Sequence, residues 1–582
     1  MGQAESLFAA GRPTTHELPE TKTASRGAAR VCDNAVSYTP EMTLYTNLLA
    51  ERRLVDDGSR PLYGSRAIDP VTGAVGDYEW VTYAQFLDET AVMAAAMVHE
   101  LGLTRQERVG IFSKNRYEWV LVEHGANRMA YQLVPLYDTL GPSAIPFIVN
   151  QTDMRVLFVA KPQFQTLMKS IDQCPSVKII VQFEDVDAAQ IKEAAFHDIQ
   201  LKSFREILEV GKKKPRVVQV SLINAGGRIG FYQGDVAKLT DDLAALRPTV
   251  FPSVPRVLNR IHDKIVSGVE AAGGIKKWLF DTAYASKKHY LADGYVHHAF
   301  WDALVFKKPQ ALVGGRMRVI MNGSAPIAQD CKELLQIVFG CAVIEGYGMT
   351  ETAGVISLST AAFAPGTHVG IPGGAIQVCL HDVPDMNYTN NDKPEPRGEI
   401  CVKGPVVFQG YYNEPEKTAE VIDADGWLHT GDIGRWNADG TLSVIDRKKN
   451  IFKLSQGEYV APEKIENVYL KSPLVAQIFV HGDSLQNFLV GVVVPEKANI
   501  AEWANKHNNG NTDPAAISAA ILKDLEALAI KHGLFRFERV QKIRLVDEIW
   551  TVDNNLVTPT FKLKRPQLVA YYANEIDAMY ST

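Results

Sequence analysis

Several short segments of the chain combine residue types that can handle a phosphorylated ligand. Residues 425–450, DGWLHTGDIGRWNADGTLSVIDRKKN, carry Asp432, whose carboxylate can accept hydrogen bonds from two vicinal hydroxyls, and Arg447, whose forked donors suit a ribose or a phosphate. In CAVIEGYGMTETAG (341–354), Gly346 and Gly348 permit close backbone approach in a loop expected after a strand, and Glu351 supplies a hard oxygen ligand of the kind magnesium takes. MNGSAP (321–326) sets two small residues and a proline after the apolar run MRVI. That order predicts a turn at a strand's carboxyl end, the edge of an α/β sheet where ligands dock. In TPTFKLKR (558–565), Lys562 is a mobile point charge that a lid could carry to a phosphate or a carboxylate. Three of the segments also have a plain alternative, a solvated acidic loop for 341–354, an ordinary turn for 321–326 and a solvated charged face for 558–565. Together they point to a nucleotide-dependent enzyme with a moving lid.

The elements that must position these residues follow from periodicity. Helical spacing over 83–102 leads into the strand pattern RVGIFS, a helix-like EWVLVEHGANRM and a strand at QLVPLY, the rhythm of a parallel sheet covered by helices. MRVLFVA (154–160) and VKIIVQF (177–183) continue it, and residues 249–265 read as a strand, a turn and a helix opened by Pro255. Over about 365–445 the texture changes to short runs split by Gly, Pro and Asp, which predicts antiparallel strands. Beyond Lys449, PEKIENVYL, LVAQIFV, FLVGVVVP and PAAISAAILKDLEALAIKHG read as helix, strand, strand and helix of a small α/β domain. The fold class is thus α/β, with a large N-terminal body of several subdomains built on parallel sheets, a small β-rich portion and a small α/β C-terminal lid.

Composition narrows the function classes. Hydrophobic residues at 46% and charged residues at 22% describe an ordinary globular protein of 582 residues. A net charge of -6 gives nucleic acid no bulk electrostatic reason to bind, so no nucleic-acid partner is expected. Six cysteines, Cys32, Cys174, Cys331, Cys341, Cys379 and Cys401, form no C-x-x-C pair and are expected to be buried free thiols. No run approaches 18 apolar residues, and the start lacks the pattern of a secretory signal. Gly2 and Ser6 fit the M-G-x-x-x-S pattern of N-myristoylation, which a chance match in an exposed tail explains more simply; one acyl chain gives only weak, reversible membrane attachment.

The order of NGSAP, YGMTET, GWLHTGDIG, DRKKNIFKLSQGEY and TPTFKLKR resembles the adenylate-forming acyl-CoA synthetases, and within them the long-chain fatty acid CoA ligases, over about residues 75–570. RIGFYQGD and PTVFPSVPRVLNR share that character. The resemblance implies ATP-dependent activation of a long-chain fatty acid to acyl-CoA through an acyl-adenylate, with ATP, Mg2+ and coenzyme A taking part. It implies that Gly323, Ser324 and Ala325 line the adenine and acyl-carboxylate region, that Tyr347 stacks near the adenine, and that Thr350 contacts the α-phosphate or carboxylate. Glu351 would ligate magnesium, Asp432 and Arg447 would hold the ribose, Gly457 would flank the passage of the pantetheine thiol, and Lys562 would be the lid lysine of the first half-reaction. The implied organisation is a flexible extension over 1–40, an acyl-adenylate-forming domain over 41–446, a hinge at 447–449 centred on Lys449, and a lid over 450–582. The family works on the cytosolic side of the endoplasmic reticulum, of the mitochondrial outer membrane or of peroxisomes, or in the cytosol, with peripheral membrane association an open option; the C-terminal AMYST does not match the S-K-L address.

One departure stands out. The family carries a Ser/Thr/Gly-rich phosphate loop, a strand and a helix before its GARIGF-like segment, whereas here EVGKKKP (209–215) runs straight into RVVQVSLINAGGRIGFYQGD (216–235). Several dozen residues are missing between Pro215 and Arg216. Without those amides and hydroxyls the pyrophosphate leaving group loses stabilisation, so the alternative expectation is a catalytically impaired isoform or an incomplete gene model that retains ligand or partner binding but adenylates poorly. The stretch 211–214, GKKK, is expected to be a solvated linker, since mobile ammonium groups cannot replace fixed amides.

Overall fold

The computed structural model describes residues 15–32, 58–69, 72–137, 144–213, 228–359, 368–456, 458–507, 511–551, 554–558 and 562–581. Gly2 and Ser6, the junction 215/216 and Gly457 lie outside the described residues. The chain divides into two compact units, one of Tyr38–Pro248 with Ala311–Arg316, the other of Met1–Ser37, Thr249–Gln310 and Met317–Thr582.

In the first unit, the antiparallel strands β1 (Pro61–Ile68) and β2 (Val75–Thr82) lead into helix α1 (Tyr83–His99). Thr82 Oγ1 accepts the Gln85 N–H at 3.2 Å while Gln85 Oε1 accepts the Thr82 N–H at 2.8 Å, a reciprocal cap that starts the helix where the sequence turns periodic. The run from Ala91 to Met97 is buried, so α1 is a central helix of this unit. The strands β3 (Arg108–Phe112), β4 (Gln132–Leu136), β5 (Val156–Val159), β6 (Ile179–Gln182) and β7 (Gln200–Ser203) form one sheet in the order β4-β3-β5-β6-β7, parallel throughout. Helix α2 (Tyr117–Arg128) connects β3 to β4, and α3 (Phe204–Lys212) follows β7. Helix α3 crosses α1 at Gly211, where a Cβ would lie 2.3 Å from the carbonyl oxygen of Val92. That contact corrects the linker expectation: Gly211 is buried inside a helix, and Lys212 extends that helix with an ion pair to Glu209 at 2.7 Å. Lys212 and Lys213 are exposed, and Lys214 lies outside the described residues.

The second unit holds a different five-stranded sheet, β8 (Val250–Ser253), β9 (Val319–Asn322), β10 (Ala342–Met349), β11 (Gly354–Leu358) and β12 (Ile371–Pro372), in chain order. Its first three strands are parallel and the rest antiparallel. Helix α4 (Pro255–Ala272) begins with Pro255 at its first position, and α5 (Gln329–Phe339) links β9 to β10. Strands β13 (Gln377–His381), β14 (Arg397–Lys403), β15 (Leu428–Trp436) and β16 (Leu442–Arg447) form an antiparallel sheet extended by Ala29–Cys32 and Thr15–Leu18, matching the expected β-rich portion. After Lys449 come α6 (Pro462–Tyr469), β17 (Val475–His481), β18 (Leu489–Pro495), α7 (Pro514–Lys531), β19 (Val540–Leu545), α8 (Arg565–Tyr571) and α9 (Ala573–Ser581). Of these, α6, β17, β18, α7 and β19 close one core around Ile465, Val493 and Ile521, and α8 and α9 pack on the other face of the sheet around Val492 and Leu568. Cys174, Cys331, Cys341, Cys379 and Cys401 are buried free thiols.

Candidate active site

The site is built where β8, β9 and β10 stop being a parallel sheet. Ser253, Asn322 and Glu345 lie side by side in register at the carboxyl ends of the three strands. Gly323 N–H donates to Ser253 O at 3.3 Å, Ser324 takes the left-handed conformation with φ of 73°, and Asn322 Nδ2 closes the turn on Ala325 O at 2.9 Å. Gly323, Ser324 and Ala325 therefore form one tight turn at the sheet's ligand-binding edge. The other amide atom, Asn322 Oδ1, is buried without a partner.

Strand β10 corrects one expectation. Gly346 and Gly348 do not lie in a loop; the strand passes Glu345, leaves β9 and pairs antiparallel with β11 through Met349. Gly348 is required by that pairing, because a Cβ would sit 1.8 Å from Gly354 O. The turn that follows, Thr350–Thr352, holds Thr350 exposed and Glu351 half-buried. Tyr411 O–H donates to Glu351 Oε1 at 2.7 Å, and Phe408 N–H donates to Glu351 O at 2.8 Å. Burial and the Glu351 charge raise the Tyr411 hydroxyl to about 12, so it stays a donor. Among the described residues no group of three His, Cys, Asp or Glu side chains is arranged to hold a metal ion. A single oriented carboxylate fits magnesium that arrives with phosphate oxygens as its other ligands.

Asp432 and Arg447 face each other across β15 and β16. Asp432, 5% exposed, accepts Tyr347 O–H at 2.7 Å through Oδ2 and lies 3.3 Å from Arg447 Nε through Oδ1. Burial raises the Asp432 carboxyl, and Tyr347, Arg447 and Lys562 pull it back down. A carboxylate has about four acceptor positions, so two remain for vicinal hydroxyls. Tyr347 thus holds the residue expected at the ribose. The Lys562 charge acts on both Asp432 and Glu463. Its backbone is pinned by reciprocal bonds with Thr558: Lys562 N–H to Oγ1 at 2.9 Å, and Thr558 N–H to Lys562 O at 2.7 Å.

Lys449 lies exposed in the turn after β16, where Asn450 N–H bonds to Arg447 O at 2.9 Å. Beside it, Lys448 Nζ reaches Glu399 at 3.1 Å, and Glu399 also accepts Gly431 N–H at 3.1 Å. His429 completes this node. Contact with Cys401 and the hydrogen bond to Glu399 raise its ring to about 10, while His429 and Lys448, working against burial, hold Glu399 at about 2. Gly457 lies outside the described residues; next to it, Ser455 N–H bonds to Gln486 O at 3.0 Å. Motif reading missed Tyr411, Glu399 and the buried pair Glu345–Lys332 at 2.9 Å. The signal for the last was a lone acid inside the apolar strand AVIEG.

A model of the AMP-binding enzyme family matches residues 65–220 and 215–412. "Long chain acyl-CoA synthetase 7, peroxisomal" of Arabidopsis thaliana is 39% identical over 579 residues, covering 88% of this chain and 83% of the relative. The chain belongs to the long-chain acyl-CoA synthetases. "Long-chain-fatty-acid--CoA ligase 1" of Homo sapiens is 37% identical over 624 residues, covering 94% and 87% of the two chains. Both alignments run over more positions than the matched share of this chain contains, so several dozen positions of the relatives have no counterpart here. The fold is shared with the adenylation domain of a carboxylate reductase from Mycobacterium chelonae, with TM-score 0.78, 23% identity and coverage of 94% and 92%. The domain of the Segniliparus rugosus carboxylic acid reductase, solved with AMP and a co-purified carboxylic acid, gives TM-score 0.74 at 22% identity, covering 91% and 93%. No helix of the described residues is long and apolar enough to cross a membrane.

Proposed function

We propose that the protein converts long-chain fatty acids to acyl-CoA in two steps at this site. The fatty carboxylate attacks the α-phosphorus of ATP, the α–β anhydride bond breaks and pyrophosphate leaves; the coenzyme A thiol, losing its proton, then attacks the acyl carbonyl and AMP leaves. Asp432 and Arg447 hold the ribose, with Tyr347 orienting Asp432 beside the adenine. The turn of Gly323, Ser324 and Ala325 receives the adenine and acyl carboxylate, and Thr350 contacts the α-phosphate or the carboxylate. Glu351, oriented by Tyr411, holds magnesium, which when bound neutralises phosphate charge. Lys562 stabilises the charge that develops between carboxylate and α-phosphate in the first step. Rotation of the lid, residues 450–582, about a hinge at 447–449 withdraws Lys562 and brings the Gly457 loop to the thiol path. The observation that carries this reading is the convergence of Tyr347, Arg447 and the Lys562 charge on the single buried carboxylate of Asp432. The substrate is inferred from the relatives' names. The cytosolic face of an intracellular membrane is the corresponding place of action, and the relative from Arabidopsis thaliana is named as peroxisomal.

One observation favours a second reading. The family match breaks into two stretches that meet at 215–220, where the phosphate loop is missing from the sequence. A chain without those amides completes the second step but adenylates slowly. Acyl-CoA synthesis from palmitate, ATP, magnesium and coenzyme A, run beside synthesis from preformed palmitoyl-adenylate and coenzyme A, separates the two. Product in both supports the full reaction, product only from the adenylate supports the impaired form, and product in neither refutes both.

A further inference from the structure

Arg565 opens α8 three residues beyond Lys562 and grips Glu466 of α6 with both arms of its guanidinium: Nη2 to Oε2 at 2.5 Å and Nη1 to Oε1 at 3.1 Å. Val480 N–H donates to the same Oε1 at 2.7 Å, and the guanidinium sits 5.7 Å from the centre of the Phe479 ring. Glu466 is 4% exposed. Burial pushes its carboxyl up to about 7 against the pull of Arg565, so the guanidinium is what sustains a carboxylate there. Buried ion pairs of this kind are weak sources of net stability, because desolvation offsets attraction. Their geometry is nonetheless rigid, since the fork fixes both distance and plane.

The backbone between Lys562 and Arg565 transmits that rigidity. Lys562 is closed onto Thr558 by two hydrogen bonds, Leu563 bridges Val557, and Lys564 N–H bonds to Leu556 O at 3.0 Å. The ladder alone leaves the direction of the whole turn unspecified. The Arg565 fork ties it to α6, the helix whose first turn reaches the hinge strand through Glu463 N–H to Asp446 Oδ2 at 3.1 Å. Burial raises the Asp446 and Glu463 carboxyls and the Arg565 charge pulls both back down, so the same cation acts on the carboxyl, Glu463, that also feels the Lys562 charge.

We propose that Glu466 and Arg565 are positioning residues for Lys562: their fork aims the lysine at the Asp432 end of the site and so governs adenylate formation but not thioester formation. The proposal rests on the reading of Lys562 given above. Full-length chains are compared in single turnover with enzyme in excess, so that a slow step is still measured. R565M and E466Q are each expected to slow palmitoyl-adenylate formation about tenfold to a hundredfold, the scale of a small misplacement of a catalytic group. Palmitoyl-CoA formation from preformed palmitoyl-adenylate is expected to stay at the wild-type rate, and R565M is expected to add nothing in a K562A background. The neutral double variant E466Q/R565M leaves no unpaired charge in the lid and is expected to show the same split between the two reactions.

The proposal is overturned if R565M slows both reactions alike, adds in full to K562A, or leaves adenylate formation untouched while K562A abolishes it. A K562A chain that forms adenylate at the wild-type rate overturns instead the reading of Lys562 itself. Acetylation by acetic anhydride, read by peptide mass spectrometry, gives a measure independent of turnover. The reactivity of Lys562 relative to Lys564 shifts in R565M on this proposal, and an unchanged ratio rejects it.

Discussion

Of the two five-stranded sheets one is parallel throughout and the other only over β8, β9 and β10, and they differ in how their polar groups are paired. In the β4-β3-β5-β6-β7 sheet the polar groups beyond the strands satisfy one another: Glu184 accepts Arg116 and the Lys161 N–H at 2.7 Å, and Ala160 N–H bonds to Phe112 O at 3.1 Å. In the β8–β12 sheet some polar side-chain atoms on the strands are left open. Asn322 Oδ1 and Ser357 Oγ are buried without partners, β10 turns from a parallel to an antiparallel neighbour, and Ser324 adopts a left-handed backbone. A buried polar atom without a partner costs free energy that a ligand can recover. Of the two, the β8–β12 sheet is the one whose own strands carry unpartnered buried side-chain atoms among the described residues.

Substitutions can break this contrast. The largest effect is expected from Phe158→Ala in the closed sheet, where a fully buried ring is lost: about 3–5 kcal/mol of stability, measured as a lower urea midpoint, with activity per folded molecule unchanged. Next comes Lys562→Ala on the open side, expected to slow adenylate formation about 100- to 1000-fold while melting temperature and thioester formation hold. Asp432→Ala should weaken ATP binding by about 1.5–3 kcal/mol, read as a raised KM for ATP with the KM for palmitate unchanged. Tyr347→Phe removes one hydrogen bond to that carboxylate and should cost about 0.5–1.5 kcal/mol in the same assay. If Tyr347→Phe equals Asp432→Ala, the ring does more than orient the carboxylate.

A last test sharpens the comparison at the node of Glu399, His429 and Lys448. The His429 ring is raised from 6.5 to about 10, so its contribution to stability is complete below pH 6.5 and fades as pH climbs through 10. His429→Gln should therefore lower the melting temperature at pH 6 and do so progressively less toward pH 10. An equal loss at both values would mean that the ring only fills space.

Local pattern made much of this fold readable. The helical spacing that begins at Tyr83 is the start of α1, Pro255 opens its helix as expected, and the runs VLFV and IIVQ are strands buried along their length. The identities of Asp432, Arg447 and Lys562 came from motif order. What the pattern could not supply was pairing. Gly346 and Gly348 look like loop residues until β11 lies beside them, because a period reports alternation within a strand and not the partner across it. Tyr411 lies 60 positions from Glu351 and Arg565 lies 99 from Glu466, so neither contact leaves a local trace.

The close crossing of α1 and α3 at Gly211 has a meaning for protein engineering. It anchors the chain just upstream of the junction, while Ile229 and Gly230, paired with Tyr63 and Gly64 of β1, anchor it just downstream. A segment spliced between two fixed posts changes closure entropy only slowly with length, about 0.6 kcal/mol for each doubling. The scaffold is thus a ready recipient: a phosphate loop grafted from a relative between Pro215 and Arg216 needs no redesign of either post.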